Sequence, residues 1–349
     1  MELRKMSIAW LEKSQIYPKI YWKGKGDTEE IVAVGIKQAY REPQRSKAPL
    51  FGGMRFMHTH KQDSIWQDFP DTYFFEPHII HKTPFSSPTP YVCKGAYTHL
   101  PSYPEWEASI DAVLNSTIEK VVLARKTCSA ANLNPFRLLR SLLQPHLTCF
   151  LFQPKQGVTF LGATPEILYK RSGDLIETEA LAATRACEKA NELLSGEKED
   201  REFSMVKHHI HKELSSLCTT IQTPLEDTLM HAGHLVHKHC TFKGKLKQNI
   251  DDSVILSTLH PTPATAGFPK QGALDLIEKL EPFDRGWYAA PLGWISEETA
   301  SVAVAIRSAL IVESKIHIFT GAGIVTGSLP SAEWEELNLK ALPFFRVLC

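Results

Sequence analysis

"SVAVAIRSALIVESKIHIFTGAGIV", Ser301–Val325, reads as a hairpin of two strands, "SVAVAIRSALIVE" and "KIHIFTGAGIV". Both are rich in Val, Ile and Ala and alternate with period two, the mark of pleated backbone. In the first strand Ser301, Ala303, Ala305, Arg307 and Ala309 share a face, with Val302, Val304, Ile306, Ser308 and Leu310 on the other. An arginine among alanines has space around its guanidinium, which suits a bidentate clamp on an anionic ligand. An edge arginine paired to a structural acid explains the pattern equally well. In the second strand Gly321, Ala322 and Gly323 expose successive main-chain N–H groups that can hold a carboxylate. Gly321, Gly323 and Gly327 are spaced G-x-G-x-x-x-G with no helix directly after, which does not match a dinucleotide loop.

Outward from this hairpin, strands come in clusters between helices. "KVVLARKTCS", "LTCFLFQ", "VTFLGA", "EILYKR" and "DLIETEALAAT" read as extended, the third and fourth interrupted at Thr164-Pro165. Helices are expected at 102–117, where Trp106, Ile110, Val113 and Leu114 recur at helical spacing, and at "NPFRLLRSLLQ", 196–220, "ALDLIEKLEP" and "SAEWEELNLK". The His-rich stretch after 220 reads as a strand-poor polar connector. Without strict βαβ alternation, the pattern predicts an α+β fold of large, mixed, mainly antiparallel sheets flanked by helices. No Pro/Gly/Ser linker divides residues 1–349, so a single compact domain is expected.

The 39 basic and 39 acidic side chains balance, giving no electrostatic reason to expect nucleic acid or an anionic membrane. No apolar run approaches the ~20 residues that span a bilayer. The start lacks an uninterrupted apolar core and a small-residue cleavage site, so no signal peptide is read. Seven scattered cysteines without C-x-x-C suit reduced thiols in the cytoplasm.

Two helices carry paired carboxylates. In "GEKEDREFSMVKHHIHKELSSL" the apolar residues Phe203, Val206, Ile210, Leu214 and Leu217 form one face, and Glu199, with Glu202 at its border, continues that face. In "SAEWEELNLK", Glu333, Glu336 and Lys340 fall within about 60° of one another. If the helices converge, four carboxylates repel unless a cation bridges them, and Mg²⁺ with oxygen ligands and waters fits. Lys120 opens a strand and is a candidate base; Glu166, at a break between strands, is a candidate acid if desolvated. His231, His234, His237, His239 and Cys240 pose a competing zinc hypothesis, but their spacing matches no standard site. There is no G-x-S-x-G.

These stretches resemble, in family order, the chorismate-binding enzymes: isochorismate synthases, salicylate synthases and the synthase components of anthranilate and aminodeoxychorismate synthases. The matching segments are "FGGMRF" (51–56), "EKVVLAR" (119–125), "FLGATPEILY" (160–169), "ETEALAATRA" (177–186), "EKEDREFSMV" (197–206), "LHPTPATAGFP" (259–269), "EPFDRGWYAAPLGW" (281–294), "VAVAIRSALI" (302–311) and "GAGIVTGSLPSAEWEELNLK" (321–340). The resemblance implies a more variable part over 1–100 and a motif-bearing catalytic part over 101–349. Lys at position 120 and "FGGMRF" are most like isochorismate synthases, which add water at C2 of chorismate and expel the 4-hydroxyl. No glutaminase partner is then expected, and the protein would be a monomer or weak dimer serving a menaquinone or siderophore route.

By the same resemblance, Lys120 deprotonates water and Glu166 protonates the leaving hydroxyl. Glu202 and Glu336 bind Mg²⁺, with Glu199 and Glu333 holding its waters. Arg307 and the Gly321–Ala322–Gly323 amides take the enolpyruvyl carboxylate, Lys340 adds charge, and Thr184 and His260 line the ring pocket. Two positions depart from the family pattern: Ala183 in "LAAT" and Ala290 in "YAAP" stand where glycine is usual. They keep open an altered activity or substrate, or a catalytically impaired scaffold; the nearest alternative within the family is a salicylate synthase, giving salicylate plus pyruvate.

Overall fold

In the computed structural model, residues 7–348 are described except 62, 94, 131 and 225. Met1 to Met6, on which the reading of the start partly rests, and Cys349 lie outside the described residues.

Two ten-stranded sheets form the molecule. One runs, in spatial order, Gly267–Phe268, Lys120–Ala130, Lys315–Val325, Ser308–Val312, Val158–Thr164, Thr148–Lys155, Lys19–Lys23, Glu29–Val34 and Ile79–Pro84, with Tyr97–Leu100 also pairing to Lys120–Ala130. The other runs Cys218–Gln222, Leu235–Leu246, Leu175–Ala186, Ile167–Ser172, Thr299–Val304, Pro291–Ile295, Leu50–Met54, Thr72–Glu76 and Gln38–Tyr40, with Thr228–Ala232 beside Leu235–Leu246. Pairings among the described strands, such as Lys120–Ala130 with Lys315–Val325, are antiparallel, as the clustered strand pattern predicts. Strands from the first hundred residues extend the far ends of both sheets. Trp66, Phe69, Phe152, Phe160, Trp287 and Phe319 interlock as one aromatic core. Packed rings contribute geometry as well as burial, which fixes how neighbouring strands sit.

Of the places where the chain changes sheets, two lie side by side. Val158–Thr164 belongs to the first sheet and Ile167–Ser172 to the second; Thr299–Val304 belongs to the second and Ser308–Val312 to the first. The two passages are stitched together: Val304 N–H donates to Glu166 O, Ala163 N–H to Arg307 O, and Thr164 Oγ1 to Val304 O at 2.7 Å. "SVAVAIRSALIVE" is therefore two strands, not one. Arg307 sits in the passage with φ of 48° and does not share a face with the alanines. Only the second half, Ser308–Val312 with Lys315–Val325, makes the expected hairpin.

Lys315–Val325 outruns its hairpin partner. Ser308–Val312 pairs with it from Lys315 to Phe319, so Gly321–Val325 is paired only to Lys120–Ala130. That leaves a short open edge, covered by the terminal helix Pro330–Leu348. The stretch after 220 is also not a connector: Cys218–Gln222, Thr228–Ala232 and Leu235–Leu246 are paired strands.

Candidate active site

The open edge, the two passages and the N-terminal part of helix Glu197–Leu217 surround one cavity of about 70 Å³. Lys120, Glu166, Thr184, Glu202, Arg307, Gly321, Gly323, Glu336 and Lys340 all line it. Elements from positions 120 to 340 thus converge on one point, as the two acidic stripes require.

Lys120 is the first residue of its strand, opposite Val325 and Phe268, and is 1% exposed. Its Nζ lies 2.9 Å from Glu202 Oε1. A Cβ on Gly323 would stand 2.9 Å from that same carboxylate oxygen and 3.0 Å from Lys120 Cε, so the pair needs glycine there. Lys340 Nζ contacts Glu336 Oε1 at 2.7 Å and donates to Gly321 O at 2.8 Å. Since Gly321 O points to the open edge, alternation along the strand sends the N–H groups of Gly321 and Gly323 to that edge too. Val325 N–H confirms the direction by donating to Ser328 Oγ rather than across the sheet.

Glu166 occupies the other passage and is 4% exposed. Burial raises its carboxyl to about 8; nearby Lys120 pulls the other way, and the Glu179 charge adds to the rise. A protonated carboxyl therefore faces the cavity near neutrality.

Arg307 donates through Nη2 to His237 Nε2 at 2.6 Å and through Nη1 to Ala232 O at 3.3 Å. Burial lowers the guanidinium to about 10, which leaves it charged at neutral pH. An arginine only donates, so His237 Nε2 accepts and its proton is on Nδ1. Burial, then the Arg307 charge, hold the imidazole neutral. Nδ1 accordingly donates to Thr184 Oγ1, 2.9 Å away, leaving the threonine hydroxyl proton free to point into the cavity. Thr184 follows a register shift between Ala182 and Thr184, where Ala183 takes φ of 55°. Ala290 carries no such strain; its neighbour Ala289 has φ of 60°.

Four expected residues stand elsewhere. Glu199 is buried on the same helix as Glu202 and is ion-paired to Arg185. Glu333 is buried at the start of the terminal helix. Ala322 turns to the opposite face of its strand and is wholly buried. His260 donates through Nε2 to Phe56 O at 2.9 Å, packs edge-on against Phe56, and lines a separate cleft with Arg55 and Glu278. Its neighbours Ala264 and Thr265 reach the cavity instead.

Tyr288 and Thr320 line the cavity without having been picked out from sequence, and His237, named only as a candidate zinc ligand, lines it too. For His237 the signal was present: Val236, Cys240, Phe242 and Leu246 are apolar at even positions, which marks a strand with His237 on its other face. The histidines offered as zinc ligands stand apart, each with its own partner. His231 approaches Cys187 Sγ at 3.6 Å, His234 bonds Leu339 O, and His239 approaches Glu179. Among the described residues no three His, Cys, Asp or Glu side chains converge as a cage.

Comparison with known proteins bears on the chain as a whole. The family model "Chorismate binding enzyme" matches residues 94–349. A chloroplastic isochorismate synthase of Catharanthus roseus is 35% identical over 269 residues, 72% of this chain and 46% of the relative. The isochorismate synthase MenF of Haemophilus influenzae is 30% identical over 379 residues, 96% of this chain and 87% of the relative. The chain spans about half the length of the first three curated relatives it matches, 46%, 54% and 48%. The solved menaquinone-specific isochorismate synthase of Escherichia coli superposes with a TM-score of 0.86 at 25% identity, covering 98% of this chain and 91% of that one.

Proposed function

The chain belongs to the chorismate binding enzyme family, and from that premise we propose that it is an isochorismate synthase, adding water at C2 of chorismate as the 4-hydroxyl departs. The observation that carries this is the pairing, in one cavity, of an amine at Lys120 with a protonated carboxyl at Glu166.

Lys120 takes a proton from the incoming water at C2, and Glu166 gives one to the departing hydroxyl. Atoms balance: one water enters, one leaves, and the ring double bonds shift without net oxidation. A placed base and a placed acid each typically contribute 10²–10⁴-fold. Arg307 and the outward N–H groups of Gly321 and Gly323 bind the enolpyruvyl carboxylate. The Thr184 hydroxyl, oriented by His237, donates to the ring substituents. Water as nucleophile requires no ammonia source, so no glutaminase subunit is part of this reading.

The donor set suits Mg²⁺. Glu202 and Glu336 face the cavity from two helices, and Mg²⁺ characteristically takes one or two carboxylates with waters and substrate oxygens rather than a protein cage. Glu202 and Glu336 would hold the ion, with buried Glu199 and Glu333 one helical turn earlier ordering its waters. When bound, it neutralises the ring carboxylate. The six described cysteines are free thiols, which supports a cytoplasmic setting. No described helix is long and apolar enough to cross a membrane.

The test is chromatography of chorismate incubated with the protein and Mg²⁺. Isochorismate as sole product supports the reading, whereas salicylate with pyruvate assigns a salicylate synthase. The strained Ala183 favours one other outcome, an idle scaffold, which would be inert until Ala183→Gly restores turnover.

A further inference from the structure

Arg125 is wholly buried and belongs to no ion pair among the described residues. It lies on the same strand as Lys120, five positions on, opposite Thr320. Its Nη2 donates to Asn338 Oδ1 at 2.9 Å, and its guanidinium carbon stands 4.3 Å from the Trp334 ring centre. Nε and Nη1 have no hydrogen-bond partner among the described residues. Asn338 is itself oriented, since its Nδ2 donates to Glu335 Oε2 at 3.2 Å. Burial alone lowers this arginine to about 10. The Glu335 charge offsets only part of this; a buried cation without a directly paired carboxylate costs free energy, and an apolar side chain of similar volume would serve packing as well or better.

What the arginine does hold is one turn of the terminal helix. Trp334 and Asn338 are one turn apart, and Glu336 projects about 200° from each, on the opposite side. The same turn is fixed at its start by Trp106 Nε1, which donates to Pro330 O at 3.2 Å. We propose that Arg125 is a positioning residue for the reaction: it grips the terminal helix from behind and so sets where Glu336 and Lys340 stand against the Lys120 strand. A direct strand-to-helix grip ties the base and the substrate-binding side chains into one rigid unit. Errors near 1 Å in such placement cost rate heavily. The inference rests on the chorismate reading above for the roles of Glu336 and Lys340.

Arg125→Met tests it, because stability and activity are expected to move apart. The variant melts no lower than the wild type, while kcat/KM for chorismate falls about 10–100-fold, mostly through KM. Asn338→Leu cuts the same grip from the helix side, and the double variant loses no more than the worse single one. Calorimetric titration with MgCl₂ gives a readout free of turnover: Arg125→Met binds about tenfold more weakly because Glu336 is no longer held. Wild-type kcat/KM in Arg125→Met, a loss matched by a lower melting point, or losses that multiply in the double variant each overturn the proposal. A wild type that binds MgCl₂ but does not convert chorismate overturns the function alone, and the titration then decides Arg125. A wild type that does neither overturns both.

Discussion

His237 Nε2 accepts a hydrogen bond from Arg307 Nη2 at 2.6 Å, and that one bond dictates the tautomer of the ring and the direction of the Thr184 hydroxyl. Replacing His237 by Phe keeps a planar ring, slightly larger, and removes both bonds. Arg307 loses a restraint, Thr184 loses its donor, and the expected result is a rise in KM for chorismate of about 10–100-fold with a smaller change in kcat. Steady-state kinetics check this; an unchanged KM would remove His237 from the binding chain.

Glu166 ties activity and stability to the same proton. Turnover needs the protonated carboxyl, so kcat should fall as pH rises through about 8. The folded chain keeps this proton where the unfolded chain, with its ordinary value of 4.5, has released it. Stability from this group is therefore full below the ordinary value and is lost progressively as pH rises to about 8. Glu166→Gln should flatten that slope, unfolding at higher denaturant than the wild type in alkaline buffer while turning over about 10²–10⁴-fold more slowly. Parallel stability-against-pH curves for the two proteins would contradict the assignment.

Lys120 and a cation compete for Glu202. Lys120→Met should reduce kcat about 10²–10⁴-fold, as loss of a base does. It should also bind Mg²⁺ at least as tightly as the wild type, because Glu202 no longer has the Lys120 Nζ at 2.9 Å. Weaker metal binding in the variant, read by calorimetry, would show that the lysine helps to build the metal site instead.

Ala183 sits in the left-handed region with φ of 55°. An L-residue there costs about 1–2 kcal/mol, while glycine pays about 0.5–1 kcal/mol in chain entropy. Ala183→Gly should therefore gain between about 0 and about 1.5 kcal/mol in urea denaturation. The lost methyl also enlarges the cavity beside Thr184. A destabilised variant would mean that the methyl packs well enough to outweigh the strain.

The elements that decide this fold were readable where periodicity is local. Trp106, Ile110 and Val113 marked their helix, Phe203 to Leu217 marked theirs, and the carboxylates on two helices do face a common cavity through Glu202 and Glu336. Local pattern could not show that a strand changes sheets. Val304 and Ser308 continue the same alternation on paper, yet the passage between them belongs to neither sheet, and Arg307 gains its cavity position from a positive φ that periodicity does not encode.

Histidines show the same limit differently. His260 stands in a recognisable motif, but its bond to Phe56 O depends on a residue two hundred positions away. His237 lay in a run of histidines and lysines whose apolar alternation is diluted by Lys238 and Gly244. Its importance comes from Arg307, which reaches it only after both sheets are assembled.

The run Gly321–Val325, paired to a strand on one side only, has a consequence for solubility. An unpaired sheet edge offers N–H and C=O groups that any extended chain can zip onto, the usual route to self-association. Here Lys340 occupies the Gly321 carbonyl and the terminal helix lies across the opening. A substrate carboxylate bound as proposed and a stray strand would contend for the same amides, so the groove proposed to recognise an acid is also the place where the protein must defend itself against its own kind.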